Sequence, residues 1–134
     1  MEDILSEFDK DDWGVLMKSF PKSLIVADDL TVTNLEIIKD VIEKKLANAV
    51  IIKLNQIGTV TETLEAGMYC KQNGIATIFS HRGGGESNDT TMVDAAVAVG
   101  SAFIKVGPSR GERVCKYNRL MRIEEDTLKL MAQS

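Results

Sequence analysis

The sequence predicts an α/β fold of four parallel βα units preceded by one helix, and three observations predict it. Four short apolar runs, Ser23 to Ala27, Ala49 to Leu54, Ile75 to Phe79 and Ala102 to Val106, recur about 25 residues apart. That spacing leaves room for one strand and one crossover helix per unit. The runs are rich in Ile, Val and Phe and nearly continuous rather than alternating, as strands buried on both faces of a parallel sheet are. Helix-start signals recur between them.

Taken in order, Trp13, Leu16, Met17 and Phe20 fall on one helical face that Pro21 stops, which predicts a helix before the first strand. After that strand, Thr33 with Glu36 has the spacing of a capping box, and Leu35, Ile38, Val41 and Ile42 form the apolar stripe behind it. Thr59 with Glu62 repeats the box after the second strand, with Leu64, Met68 and Tyr69 behind it and Asn73-Gly74 as the helix end. Asp89 or Thr90 caps the helix after the third strand, and Gly100 closes it. The last helix starts after Gly107-Pro108 with Ser109 and Glu112 as a third box, and runs through Leu120 toward Met131 with a break near Asn118.

Composition narrows the function. With 44% hydrophobic and 27% charged residues, the chain of 134 resembles an ordinary globular domain, so disorder and a disulfide scaffold are excluded. Sixteen basic against twenty acidic side chains give a net charge of -4 with no basic stripe, which argues against nucleic acid as a partner. No apolar run is long enough to span a membrane, and Met1-Glu2-Asp3 does not open a signal peptide. Cys70 and Cys115 lack metal or redox spacing and read as reduced thiols in a cytoplasmic protein. The whole chain, 1–134, reads as a single domain with no linker.

In parallel α/β sheets ligands gather beyond the C-terminal ends of the strands. Those ends carry Asp28-Asp29, Lys53, Ser80-His81-Arg82 and Lys105. A carboxylate pair, two lysines, the only histidine and an arginine suit one chemistry. Asp28 can ligate a hard cation such as Mg²⁺, which takes carboxylate oxygens and shares its shell with phosphate and water. Lys53, at the end of Val50-Ile51-Ile52, is expected to have its pKa lowered by burial and neighbouring cations, and so to act as a general base. A proton removed next to a carboxylate leaves an enolate, whose charge a metal and a second cation stabilise. Arg82 can grip a phosphate in a bidentate fork, and Gly83-Gly84-Gly85 lets backbone N–H groups approach an anion or simply turns the chain. The pairing of Asp28-Asp29 with a distant Lys105 also resembles a phosphoacceptor receiver domain, but that architecture needs an aspartate where Lys53 stands.

Long ordered stretches resemble the C-terminal part of enolase, phosphopyruvate hydratase. They are Val26-Ala27-Asp28-Asp29-Leu30-Thr31-Val32-Thr33-Asn34, Lys53-Leu54-Asn55-Gln56-Ile57-Gly58-Thr59, Ser80-His81-Arg82, Ile104-Lys105-Val106-Gly107 and Lys116-Tyr117-Asn118-Arg119-Leu120. The resemblance covers nearly the whole chain. It implies about half of an eight-stranded barrel, whose full size is ~250 residues, and reversible dehydration of 2-phosphoglycerate to phosphoenolpyruvate with Mg²⁺ as cofactor. Position by position it implies Lys53 as the base, Asp28 as a metal ligand, Lys105 on the substrate carboxylate, and His81 and Arg82 on substrate, with Arg82 on the phosphate. Glu2 matches a second metal ligand, although Ile4 stands where the family has proline. Gly83 replaces the family's serine and keeps only a backbone N–H for the phosphate.

The family's lid domain, first barrel strands, third metal carboxylate and acid-side glutamates have no counterpart in the sequence. Two readings follow. Either the chain supplies half of an active site to a homo-oligomer or to a chain carrying the missing barrel half, or it is a non-catalytic, enolase-derived module for binding anions or proteins.

Overall fold

In a computed structural model describing residues 1–82, 87–108 and 110–133, the chain folds as the predicted series of βα units. Helix α1 spans Lys10–Ser19, and β1 (Val26–Ala27), β2 (Ala49–Ile52), β3 (Ala76–Ser80) and β4 (Phe103–Lys105) form one sheet in the order β1-β2-β3-β4. All three pairings are parallel, with Ala27 beside Val50, Ile52 beside Phe79 and Ser80 beside Lys105. Helices α2 (Leu35–Glu43), α4 (Val60–Gln72) and α5 (Thr91–Val99) are the crossovers, joined by a one-turn α3 (Leu54–Ile57) and a closing α6 (Gly111–Met131). None of the described helices is long and apolar enough to cross a membrane.

Strand parity divides the side chains between two faces. Val50, Ile52 and Phe79 join Ile38, Ala66, Val93 and Val99 in the main core, so the helices cover that face. Val26, Ala49 and Ile51 cluster with Ala76 and Ile78 on the opposite, inner face, a cluster built from strand residues alone. A second core lies under α1, where Trp13 is buried with Ile25, Leu30, Val41 and Leu46 and its indole N–H donates to the Ser6 carbonyl at 3.0 Å.

Three expectations change. The first strand shortens to Val26–Ala27 because the Asn48 side-chain carbonyl takes the Ile25 N–H at 2.7 Å, outside the ladder. Strand β4 is not buried on both faces: Phe103 is 52% exposed on the inner face, because β4 pairs only with β3 and no described element covers that side. The last helix runs unbroken through Asn118, anchored by Arg119, whose Nε donates to Asp94 on α5 at 3.0 Å.

Helix ends follow local chemistry. At α4 half of the box forms: Thr59 Oγ1 accepts the Glu62 N–H at 3.2 Å, while the Glu62 carboxylate takes the Thr59 hydroxyl at 2.5 Å. At α2 the Thr33–Glu36 box does not form; Asn34 is the cap, its Oδ1 taking the N–H groups of Glu36 and Ile37. Asp89 serves α5 by accepting the Thr91 hydroxyl and the Thr91 N–H at 2.6 Å each, and the hydroxyl bond first, then the N–H, holds its carboxyl below the ordinary carboxylate value. Ser109, and with it the third box, lies outside the described residues.

Close packing makes two outcomes testable. A β-carbon on Gly67 of α4 would sit 3.1 Å from both Val99 methyls and 3.3 Å from Phe79 Cζ, side chains with no room to yield. Gly67→Ala is therefore expected to destabilise the chain by ~1–3 kcal/mol in urea unfolding, despite alanine's better helix propensity. Cys70 and Cys115 are both free, and burial pushes the Cys70 thiol from 9.0 up to about 12. A maleimide at pH 8 should label Cys115 in the folded chain and reach Cys70 only on unfolding. Because the Cys70 thiol loses its proton more readily unfolded than folded, its contribution to stability is present below pH 9.0 and declines as the pH rises from there toward about 12.

Candidate active site

The strand runs end where the polar residues begin, and parity decides which way those residues point. Ala27, Ile52 and Ile104 face the helices, so Asp28, Lys53 and Lys105, one residue further on, fall on the inner face at the C-terminal rim. Asp28 and Lys53 meet there directly: Lys53 Nζ donates to Asp28 Oδ2 at 2.5 Å, with the two side chains only 13% and 9% exposed. The second carboxylate oxygen, Oδ1, accepts from Gln56 Nε2 at 3.3 Å.

Gln56 is placed by Thr33, whose hydroxyl donates to Gln56 Oε1 at 2.7 Å and accepts the Lys53 backbone N–H at 3.0 Å. That position requires unusual backbone. Val32 and Thr33 both have left-handed φ, +42° and +60°, which costs ~1–3 kcal/mol apiece for residues of this shape. Strain of this kind survives only where surrounding contacts over-determine it, and here it braces the base of Lys53 and, through Gln56, Asp28.

The N-terminal segment adds an incipient fifth strand. Glu2 bridges Val26 in parallel, and Asp3, itself at φ +41°, accepts the N–H groups of Asp28 and Asp29 on its two oxygens at 2.9 Å each. Glu2 reaches across to Lys105, whose ammonium donates to both carboxylate oxygens at 2.6 and 2.8 Å. In a flat sheet the Glu2 segment and β4 would stand four strand spacings apart, roughly 19 Å at ~4.8 Å each, beyond the reach of the two side chains. The contact therefore records a strongly curled sheet.

His81 and Arg82 follow β3 and line a cavity of about 150 Å³ together with Asn55, Ser80, Asp89 and Lys116. Ser80 secures the rim of β3 to β4, its hydroxyl donating to the Lys105 carbonyl at 3.0 Å. Gly83 and the rest of the glycine run lie outside the described residues.

The rim thus gathers Asp28 with Lys53 and Lys105 with Glu2, while His81 and Arg82 stand at a neighbouring cavity. Among the described residues, the carboxylate oxygens of Asp3, Asp28 and Asp29 lie within 4.8 Å of one another, a group that does not include Glu2. Hard oxygen donors of this type suit Mg²⁺, and a carboxylate offers about four lone-pair positions, so Asp3 and Asp28 retain capacity beside their present bonds. The donor set fits such an ion. The sequence reading missed Thr33, Gln56 and Asp3. Asp3 had a signal, an acidic residue beside Glu2; Thr33 read as a helix cap and Gln56 only as part of a family-like stretch, because their roles at the rim depend on a strained turn and a one-turn helix.

The comparison with known protein families agrees with this geometry. The family model described as "Enolase, C-terminal TIM barrel domain" matches residues 1–132 of the 134. Four parallel strands in sequential order, flanking helices on one face and charged residues at the strand ends are what one wall of such a barrel presents. The chain belongs to the enolase C-terminal TIM barrel family.

Proposed function

We propose that the chain carries the proton-abstracting side of the reversible dehydration of 2-phosphoglycerate to phosphoenolpyruvate. The observation that carries the reading is the Lys53–Asp28 pair, almost buried and braced at the rim of a parallel sheet by Thr33 and Gln56. Lys53 Nζ, after releasing to solvent the proton it now directs at Asp28 and so becoming a neutral amine, takes the proton from the carbon bearing the phosphate, next to the carboxylate. Lys105 draws in that carboxylate, exchanging the Glu2 carboxylate it now holds for the substrate's. Arg82 grips the phosphate, with His81 beside it on the same cavity wall. Asp28, with Glu2 or the neighbouring Asp3 and Asp29, would hold Mg²⁺, which when bound supplies positive charge against the enolate and draws on the carboxylate charge that Lys53 now faces.

The partner proposed for this chemistry is a complementary barrel wall, either a second copy or a chain carrying the remaining strands. What supports it is the inner face, where Phe103 is 52% exposed and no described helix packs. The acid that protonates the departing hydroxide is assigned to a partner carrying the remaining strands, since a second copy would only repeat the residues of this chain.

The test follows the C2 proton of 2-phosphoglycerate in D₂O by NMR, with Mg²⁺ and the complementary enolase half added to the chain. Exchange and conversion that require both components are the expected result. Binding of phosphorylated ligands without Mg²⁺ and without exchange would replace the catalytic reading with that of an anion-binding module.

A further inference from the structure

The mechanism above leaves one buried charge unused. Lys116 lies on α6, a helix whose other described side chains are half-buried or exposed, yet it is only 2% exposed. Its ammonium donates to two carbonyls, Ser87 and Glu112, at 2.7 Å each, and among the described residues no carboxylate forms an ion pair with it. An ammonium has three N–H donors, so one remains beyond those two bonds, on a side chain that lines the cavity shared with Arg82. A buried lysine in this state is costly unless something anionic offsets it.

The cavity's own anion does so only partly. Asp89 also lines it, but its Oδ1 is committed to the N–H and hydroxyl of Thr91 at 2.6 Å each, and Lys116 contributes least among the causes that lower its carboxyl. Arg82 and Lys116 against Asp89 leave one positive charge in excess. The space, about 150 Å³, is about ten times the ~10–15 Å³ that a single water needs.

We propose that Lys116 is a positioning residue for anion capture: its buried ammonium supplies the second positive charge of the Arg82 cavity, so that a phosphoryl dianion, rather than a singly charged or neutral group, is the favoured occupant. This rests on the reading of that cavity as the place where Arg82 meets phosphate, and adds to it a residue on a different element. By donating to the Ser87 carbonyl, Lys116 also ties the chain that follows the glycine run to the first turn of α6. The charge and the cavity wall are thereby fixed together.

The probe is inorganic phosphate, titrated by NMR into the 134-residue chain and compared with nitrate as a singly charged anion. Lys116→Met keeps the length and apolar stem but removes the charge; Lys116→Arg restores it. Phosphate binding is expected to weaken about tenfold or more in Lys116→Met, to recover largely in Lys116→Arg, and to lose its preference over nitrate only in the methionine variant. A folded Lys116→Met that binds phosphate with unchanged affinity and unchanged preference overturns the proposal. If Arg82→Ala also leaves phosphate binding untouched, the cavity reading itself fails; if Arg82→Ala weakens binding while Lys116→Met does not, only the role of Lys116 falls. Should Lys116→Met not fold, the Lys116 Nζ resonance of the unsubstituted chain gives the answer, since a shift on phosphate addition is expected and its absence overturns the assignment.

Discussion

Replacing Lys53 by alanine, in the chain complemented by the other barrel half, is expected to slow exchange of the C2 proton of 2-phosphoglycerate by ~10²–10⁴-fold, the usual contribution of a positioned general base. The same variant should leave binding of the phosphate group nearly unchanged, because Arg82 and its cavity stand after a different strand. The two readouts separate a lost base from a lost fold. Exchange that continues at the unsubstituted rate would show that another group removes the proton. Lys105, the other inner-face lysine on the rim, would then be the next to substitute.

The second large effect concerns stability rather than rate. Asp28→Asn keeps the shape of the side chain but strips the charge opposite Lys53, an ammonium 13% exposed and 2.5 Å from its partner. Removing one member of an almost buried pair costs ~3–5 kcal/mol, mostly because the remaining charge stays buried without compensation. Chemical unfolding should therefore show a drop of about 3 kcal/mol for Asp28→Asn, with much of it recovered when Lys53→Met is added. If the double variant is as unstable as the sum of both single ones, the pair is not coupled and the loss has another origin. Asp28→Asn should also weaken Mg²⁺ binding, which a metal titration of the folded variant measures independently.

The architecture was legible wherever burial sets the pattern. Runs such as Val50-Ile51-Ile52 need apolar side chains on both faces, so the strands, and hence the rim residues after them, could be located from sequence. Legibility failed where one element's environment is set by another. The run around Phe103 has the same composition as the others, but β4 lies at an open edge, which composition does not encode. Thr33 carries a capping signal that the left-handed turn at Val32 and Thr33 redirects toward Lys53 and Gln56, leaving Asn34 to cap the helix. Nothing in the charged stretch around Lys116 signals burial; only the packing of α6 against the chain after β3 buries it.

The Glu2–Lys105 contact has a bearing on how the molecule assembles. Every strand pairs with its sequence successor, so the sheet can grow one βα unit at a time. Glu2 and Lys105 are 103 residues apart, and nothing brings them together until all four strands have docked and the sheet has curled. Closing so long a loop is entropically costly, and a pair with side chains 51% and 36% exposed returns ~0–1 kcal/mol at most. The contact is therefore a last and reversible step, a clasp sensitive to ionic strength on a curvature that the packed cores already impose. Added salt would unfasten the rim without unrolling the sheet, freeing Lys105 for another carboxylate while the wall keeps its shape.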